Sequence, residues 1–447
     1  MDILIVIILF IISLLFCIYS KISILYPLLL GLSGFIVVSM SRGYNLKDLL
    51  KMMLKGSSKS LIVIKIFILI GIITAVWRAC GTIAIIVYYG TALLSAKYFI
   101  LSAFILCCIV SFLLGTSFGT VGTIGVVLIV MAKSGNVDIN AVAGAIIAGA
   151  YFGDRCSPMS SSANLVAALT NTNFYINFKN MAKTSILPFI ISVAAYIYVS
   201  YLNPLTFYTN DIGNEILNIF NINFILFAPA IIILVLAAFK VDVKLSMSIS
   251  ILSGIILGLF VQNITLVQML EYIIAGYNIE TNSFFAEIIK GGGLYSMLNV
   301  SCIVLISSSF SGIFEGTGLL AEIEKFIERL SKKFRIYPTL ILTSIATAAF
   351  SCNQTLAVIL THQLQRRIYE KNCLSNYKLA LDMENTVILI SALIPWNIAG
   401  AVPAAALSAD SGFIIYAFYL FLVPLTNLFM QQIPVSSETK IKTSLIN

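Results

Sequence analysis

The sequence predicts an all-α polytopic membrane protein: two inverted repeats of about five spans each, with broken or re-entrant helices, and 10–13 membrane segments in all. Three observations carry this. Of 447 residues, 60% are hydrophobic and only 10% charged, with mean hydropathy +1.01. A soluble domain carries about 25% charged residues, because its outside faces water. Nine segments are apolar enough, near the ~20 residues that span a bilayer: 3–19, 22–41, 60–77, 98–114, 184–202, 222–239, 245–261, 293–310 and 412–430. Between them, apolar stretches are interrupted at matching distances in the two halves.

The first span reads as retained. Asp2 stands where a signal peptide would be basic, no A-x-A-like site follows, and Ile22–Ser41 comes at once. Next comes a basic stretch with Arg42, Lys47, Lys51, Lys55 and Lys59 against the single Asp48. Similar clusters hold Lys325, Arg329, Lys332, Lys333 and Arg335 among three glutamates, and Arg366, Arg367, Lys371 and Lys378. The hydrophilic stretch 202–223 has Asp211 and Glu215 and no basic residue. Such asymmetry separates cytoplasmic from external loops. The net charge of +8 therefore reports topology, not nucleic-acid binding. The partners expected are the lipid bilayer of a bacterial inner membrane and a small ion or small-molecule substrate. A homodimer is compatible with the sequence.

The remaining apolar stretches, 79–95, 115–133, 141–171, 311–320, 338–363 and 379–408, are short or broken. The breaks are 115–120 (GTSFGT), 153–158 (GDRCSP), 351–355 (SCNQT) and 394–397 (IPWN). Backbone that leaves a helix in hydrocarbon exposes N–H and C=O groups at several kcal/mol each, so it is tolerated only where it lines a protein-buried or watery cavity. Paired breaks in two halves point to a transporter's binding site. Here Gly81 to Ser117 and Gly318 to Gln354 are both 36 residues, and Ser117 to Pro158 and Gln354 to Pro395 are both 41. The expected organisation is a first repeat at 1–202, an external linker at 203–221, a second repeat at 222–433 and a polar tail at 434–447.

Asp154 is the leading candidate. It ends the uncharged run Ala141–Phe152 and precedes the hydroxyl-rich 157–164. An ionisable group there costs a few kcal/mol and defaults to a functional role. A carboxylate binds Na⁺ when ionised and takes a proton when it is not. Ser157, Ser160, Ser162 and Asn164 offer neutral oxygens that suit a hard cation, and equally an organic substrate. Pro158 suits the start of a new helix. The plainer alternative is an Asp154–Arg155 pair near a surface. Thr116, Ser117 and Thr120 belong to a break whose glycines would otherwise serve helix packing. Asn353, Gln354 and Thr355 form the break of the second half, with Asn397 at the later one. Glu384 is either a second intramembrane titratable site or a loop residue near Asp382, and Glu315 is a weaker candidate. Arg78, beside Trp77, reads as an interface anchor that snorkels, with a substrate carboxylate as the alternative partner, and Lys65 also reads as a snorkelling residue.

Other chemistries find little support. Eight cysteines show no C-x-x-C pairing, which indicates neither disulfides nor a metal site. His362, the single histidine, has no ligand-spaced neighbours. No H-E-x-x-H and no G-x-x-x-x-G-K-[ST] occurs, so an intramembrane metalloprotease and ATP-driven pumping are not expected, and no cofactor is implied.

Residues 148–160 (AGAYFGDRCSPMS) resemble the signature of the NhaC-type Na⁺/H⁺ antiporters of the ion-transporter superfamily. The resemblance extends through 115–125 (GTSFGTVGTIG), Gln354 with Leu360 and Thr361, and 393–397 (LIPWN). It covers about 75–410. It implies sodium/proton exchange by alternating access, with relatives that exchange organic acids such as malate for lactate, or amino acids. The departures concern carboxylates. Ser161 stands where the family usually has an aspartate, Cys352-Asn353-Gln354 where it often has Gly-Asp-Gln, and Asn385 or Met383 where it often has a second acid beside Glu384. Fewer carboxylates compensate fewer cationic charges. The expectation is therefore a Na⁺/H⁺ antiporter with Asp154 as the shared group. The alternative is a Na⁺- or H⁺-coupled transporter of an amino acid or small organic acid.

Overall fold

The computed structural model describes residues 25–58, 61–93, 96–205, 212–239, 243–279, 289–318 and 335–429, with residue 241 and scattered positions between 5 and 23. Parts of the first span, residues 206–211 of the linker, nearly all of the 325–335 cluster, the 434–447 tail and the Glu315 side chain lie outside the described residues. Among the described residues there is no strand, only one antiparallel bridge between Tyr277 and Gly291.

The helices of the first half are α1 (Leu25–Ser41), α2 (Leu46–Ser58), α3 (Leu61–Ala79), α4 (Thr82–Leu93), α5 (Phe99–Leu114), α6 (Ser117–Ser134), α7 (Ile139–Cys156), α8 (Ser161–Leu169) and α9 (Phe174–Leu202). Then come α10 (Ile212–Ile219), α11 (Ala228–Ala238), α12 (Val243–Phe260), α13 (Leu266–Ala275) and α14 (Leu298–Thr317). The last are α15 (Ile336–Ser351), α16 (Gln354–Lys371), α17 (Asn376–Asn385), α18 (Val387–Leu393), α19 (Ile398–Ala406) and α20 (Phe418–Phe429). Two of them, α6 and α9, are long and apolar enough to cross a membrane by themselves. Two bent pairs pass the same test as broken spans: α3 with α4 at 66°, and α17–α18 with α19 at 53°. Shorter apolar helices make up much of the rest. This is the architecture of an integral membrane protein.

Each break is built from local chemistry. Helix α5 ends on Gly115 at φ +66°, Thr116 caps the next helix by accepting from the Gly119 N–H, and α6 contains a wider π turn over Val121–Gly125. Helix α15 ends on Cys352 at φ +54°, and Asn353 caps α16 through the N–H groups of Thr355 and Leu356. After Cys156 the chain turns through Pro158 and Met159, closed by the Ser160 N–H on the Ser157 carbonyl at 3.0 Å, to Ser160, which caps α8; after Leu393 it turns to Asn397, which caps α19. These caps satisfy donors that hydrocarbon would leave orphaned.

The two halves share these boundaries. Helices starting at 99, 117, 139 and 161 have counterparts starting at 336, 354, 376 and 398, an offset of 237 residues each time. The ends at 114, 156 and 169 match 351, 393 and 406 by the same offset.

The tightest seam joins α5 to α7. Ser111 Oγ donates to the Gly149 carbonyl at 2.7 Å and accepts the Gly153 N–H at 3.0 Å. A Cβ at Gly149 would sit 2.6 Å from the Phe104 carbonyl oxygen, and one at Gly153 would overlap the Ser111 backbone. Small residues four apart let helix backbones touch, and packing replaces the hydrophobic drive that lipid does not provide. One expectation is corrected: Arg78 does not snorkel. It is buried at 5% exposure, with Nη1 on the Thr74 carbonyl at 3.0 Å, because the α3–α4 bend turns it inward. Lys65 is exposed.

Gly153→Ala should cost about 1–3 kcal/mol by overpacking. The check is a lower thermal midpoint of the detergent-solubilised protein, with Gly122→Ala as a control whose Cβ meets Ile70 only at an ordinary 3.4 Å.

Candidate functional site

The 156–160 and 394–397 breaks both fold back onto the ends of their neighbours. Ser157 Oγ donates to the Phe112 carbonyl at 2.7 Å; Asn397 Nδ2 donates to that of Ala348 at 2.7 Å and Trp396 Nε1 to that of Ala349 at 2.9 Å. The Ile398 N–H also donates to the Cys352 carbonyl at 2.9 Å, tying the two breaks of the second half to each other. Across the halves, Tyr151 Oη donates to the Ala399 carbonyl at 2.7 Å.

Asp154 lies in this crossing, two residues before the end of α7 and 4% exposed. Gln354 Nε2, from the first residue of α16, donates to its Oδ2 at 3.0 Å and to the Ile388 carbonyl at 3.1 Å. Ser162 Oγ, in the first turn of α8, lies 3.2 Å from Oδ2, 3.4 Å from Oδ1 and 3.3 Å from Gln354 Oε1. The carboxylate thus meets two helix N-termini, whose partial positive charge favours an anion. Its direct partners are an amide and a hydroxyl. The local oxygen atoms, two from the carboxylate and one each from Ser162, Gln354 and the Ile388 carbonyl, are hard donors of the kind that alkali cations take.

The other candidate residues are arranged around this centre in different ways. Ser160 caps α8 and donates to the Asp154 carbonyl, so its hydroxyl braces the backbone that carries the carboxylate. Ser117 faces the Tyr151 hydroxyl, one helical turn before Asp154. Thr116, Asn353 and Asn397 use their side chains as caps, and Thr120 Oγ1 donates to the Thr116 carbonyl at 2.9 Å. Asn164 is exposed and braces the Pro158 and Ser160 carbonyls, and Thr355 is exposed as well. The structure therefore gathers Asp154, Ser162 and Gln354 around one carboxylate and places the caps behind them.

Arg155 does not pair with Asp154. It is fully buried on a different face of α7, where Nη1 donates to Ser185 and to Tyr419 Oη at 3.0 Å, and Nη2 to Asn385 Oδ1 and to Thr184 Oγ1 at 3.1 Å. Among the described residues no carboxylate lies within ion-pair distance of it. Glu384 is also fully buried, next to the α17–α18 kink at Thr386, and both its carboxylate oxygens lack a hydrogen-bond partner among the described residues. It lies within Coulombic range of both Arg155 and Asp154. Asp382, by contrast, is matched by Lys378 Nζ at 2.8 Å and by the Tyr369 hydroxyl at 2.8 Å. Sequence reasoning missed Thr184, Ser185 and Tyr419, which α9 and α20 bring to Arg155. Two adjacent hydroxyls inside an apolar run were the available signal for the first pair; Tyr419 left none.

A family model described as the Na⁺/H⁺ antiporter family matches residues 149–430. The chain belongs to this family. It is 28% identical over 389 residues to the Na⁺/H⁺ antiporter NhaC of Alkalihalophilus pseudofirmus, covering 86% of this chain and 84% of that protein. Against NhaC of Bacillus subtilis it is 29% identical over 411 residues, 90% of each chain. It is also similar to the malate-2H⁺/Na⁺-lactate antiporter of Bacillus subtilis, at 27% over 379 residues, covering 83% of this chain and 80% of that one. The matched region begins in α7, five residues before Asp154, and ends with α20. In this family member the buried carboxylate, the amide of the second-half break and the kink at Thr386 all fall inside it.

Substitution separates braces from the centre. Asn397→Ala removes a cap and the bond to Ala348, and should lower unfolding stability by about 1–2 kcal/mol. Ser162→Ala, which removes one long hydrogen bond at a partly exposed hydroxyl, should cost less, about 0.5–1 kcal/mol. Thermal unfolding of the two variants in one detergent checks the contrast.

Proposed function

We propose that this chain is a secondary antiporter that exchanges cytoplasmic Na⁺ for external H⁺ across the bacterial inner membrane by alternating access, with Asp154 as the group the two cations share. The observation that carries the reading is Asp154 itself. It is a buried carboxylate at a crossing of broken helices, with hydroxyl, amide and carbonyl oxygens around it and Arg155 turned away. A carboxylate so placed holds Na⁺ when ionised and a proton otherwise, never both, and that exclusion couples the two fluxes. Na⁺ entering would displace the Gln354 Nε2 donor, and rotation of the amide would present its oxygen instead.

The equal boundary offsets support two repeats, 1–202 and 222–433, joined by an external 203–221 linker. An odd number of crossings in each would make them inverted, with the breaks at the bilayer midplane where transporters of this build bind their cargo. The neutral residues Ser161, Asn353 and Asn385 favour a second reading, coupled transport of an amino acid or small organic acid. Relatives named for malate, lactate, arginine and ornithine exchange give it context.

The purified protein in liposomes with a trapped pH dye tests both. Proton movement on addition of Na⁺ alone supports the antiporter, whereas silence until an organic solute is added replaces it with the second reading. Asp154→Asn should lower Na⁺-driven proton flux by roughly a hundredfold or more, because a neutral amide releases no proton; a correctly inserted variant with full exchange refutes the assignment. Competition for one carboxylate also sets the sign of the pH effect. The KM for Na⁺ should rise as pH falls, with the maximal rate at saturating Na⁺ little changed, in initial-rate measurements across a pH series.

A further inference from the structure

A second concave feature lies apart from the Asp154 crossing, on the outer flank of the molecule. Phe112 of α5, Phe152 and Cys156 of α7, and Phe178, Ala182 and Phe189 of α9 line a cleft of about 450 Å³. Ligand pockets hold about 300–1,000 Å³. Two ring pairs bridge α9 to the other walls, Phe112 with Phe178 at 6.2 Å and Phe152 with Phe189 at 5.6 Å between centroids. Ala182, with a single side-chain carbon, stands between Phe178 and Phe189 on α9 and opens the space. Ser185 lines it too, but its hydroxyl is engaged with Arg155 and Tyr419, so the walls present an apolar face. Ile186 and Ile190, at the rim, are 60% and 58% exposed. Because α9 is long and apolar enough to cross the membrane by itself, that rim faces lipid.

The same flank carries charge. Tyr175, Lys179, Lys183, Ile186 and Ile190 follow one another at intervals of four, four, three and four residues, on one stripe of α9, and all five are exposed. Their order is that of a leaflet: a tyrosine at headgroup level, two ammonium groups, then aliphatic surface. Helical side chains lean toward the N-terminus, so both lysines reach back toward Tyr175 and out of the hydrocarbon. The cleft occupies residues 178–190 of α9, roughly 18 Å of helix, against about 15 Å for half of the hydrocarbon core. We propose that this cleft binds a phospholipid with an anionic headgroup, one acyl chain lying between the phenylalanine pairs and the headgroup charge meeting Lys179 and Lys183. Basic pockets between membrane helices select such headgroups. The floor links the site to the transport centre. Cys156 and Ser185 both accept from Arg155 Nη1, and Cys156 lies two residues after Asp154, so a seated chain props α9 against the end of α7.

Quenching of tryptophan fluorescence by lipids brominated in their chains tests the proposal in liposomes. Ile186→Trp reports from the rim, and Leu252→Trp, 61% exposed on α12, reports the surrounding bilayer. The parent, with Trp77 and Trp396, gives the background. Brominated phosphatidylglycerol should quench the rim reporter at a mole fraction about fivefold or more below that needed with brominated phosphatidylcholine. Leu252→Trp should show no such difference. Lys179→Gln with Lys183→Gln, added to Ile186→Trp, should abolish the preference. Equal quenching of the rim by both lipids overturns the site, and so does the same preference at Leu252→Trp, which would reflect the charge of the whole molecule. If neither lipid quenches the rim, something else fills the cleft, such as a second copy of this chain, and the proposal falls. Should Ile186→Trp fail to insert, Ile190→Trp on the same rim gives the reading. None of these signals requires transport, so the exchange reading stands or falls separately.

Discussion

The backbone at the helix breaks constrains everything else in this molecule. A chain this apolar gains nothing from leaving a helix unless each freed N–H and C=O finds a partner within the protein. Four caps answer that demand, Thr116, Ser160, Asn353 and Asn397, each accepting from N–H groups in the first turn of the helix it opens. Because they hold the breaks, a carboxylate, an amide and a hydroxyl from three different helix ends meet within about a hydrogen bond of one another. The polar residues of the breaks thus divide into those that hold backbone and those that meet the Asp154 carboxylate. Asn397 and Ser162 mark the two kinds.

Much of this was legible in the sequence. Hydrophobic runs announced a membrane protein, and proline, glycine and small polar residues inside them announced the breaks. Spacings of 36 and 41 residues, counted from Gly81 and Gly318 through the breaks, are samples of a boundary offset that recurs at eight helix starts and six helix ends. Asp154 stood out because a carboxylate at the end of an uncharged run has few bland explanations. What could not be read was direction. Asp154 and Arg155 are adjacent, and adjacency suggested a pair; on a helix, consecutive side chains diverge by about 100°, and the two face different neighbours. Likewise Arg78 looked like an interface anchor until the bend at Cys80–Gly81 carried it inward. Caps and ligands use the same residue types, so the hydroxyls and amides in a break do not by themselves say which is which.

The partners of Arg155 give one neutral departure from the family pattern a physical sense. Where the resemblance leads one to expect further acids, this chain has Ser161, Asn353 and Asn385. Asn385 accepts from Arg155 and Thr184, so its neutral oxygen serves as a cradle for a cation that never leaves. Had it been a carboxylate, it would have formed the ion pair that Arg155 lacks among the described residues.

The seam of Ser111 with Gly149 and Gly153 has a mechanical meaning. Backbone rests on backbone there, with one short hydroxyl pinned between the two helices. Such a contact has no long side chain to bend or repack, so α5 and α7 make one stiff slab and the carboxylate near the end of α7 rides on it. A spectroscopic ruler stretched between those two helices would keep its length through the whole working cycle. One stretched from α7 to α16 would cross the joint where Gln354 reaches the Asp154 carboxylate.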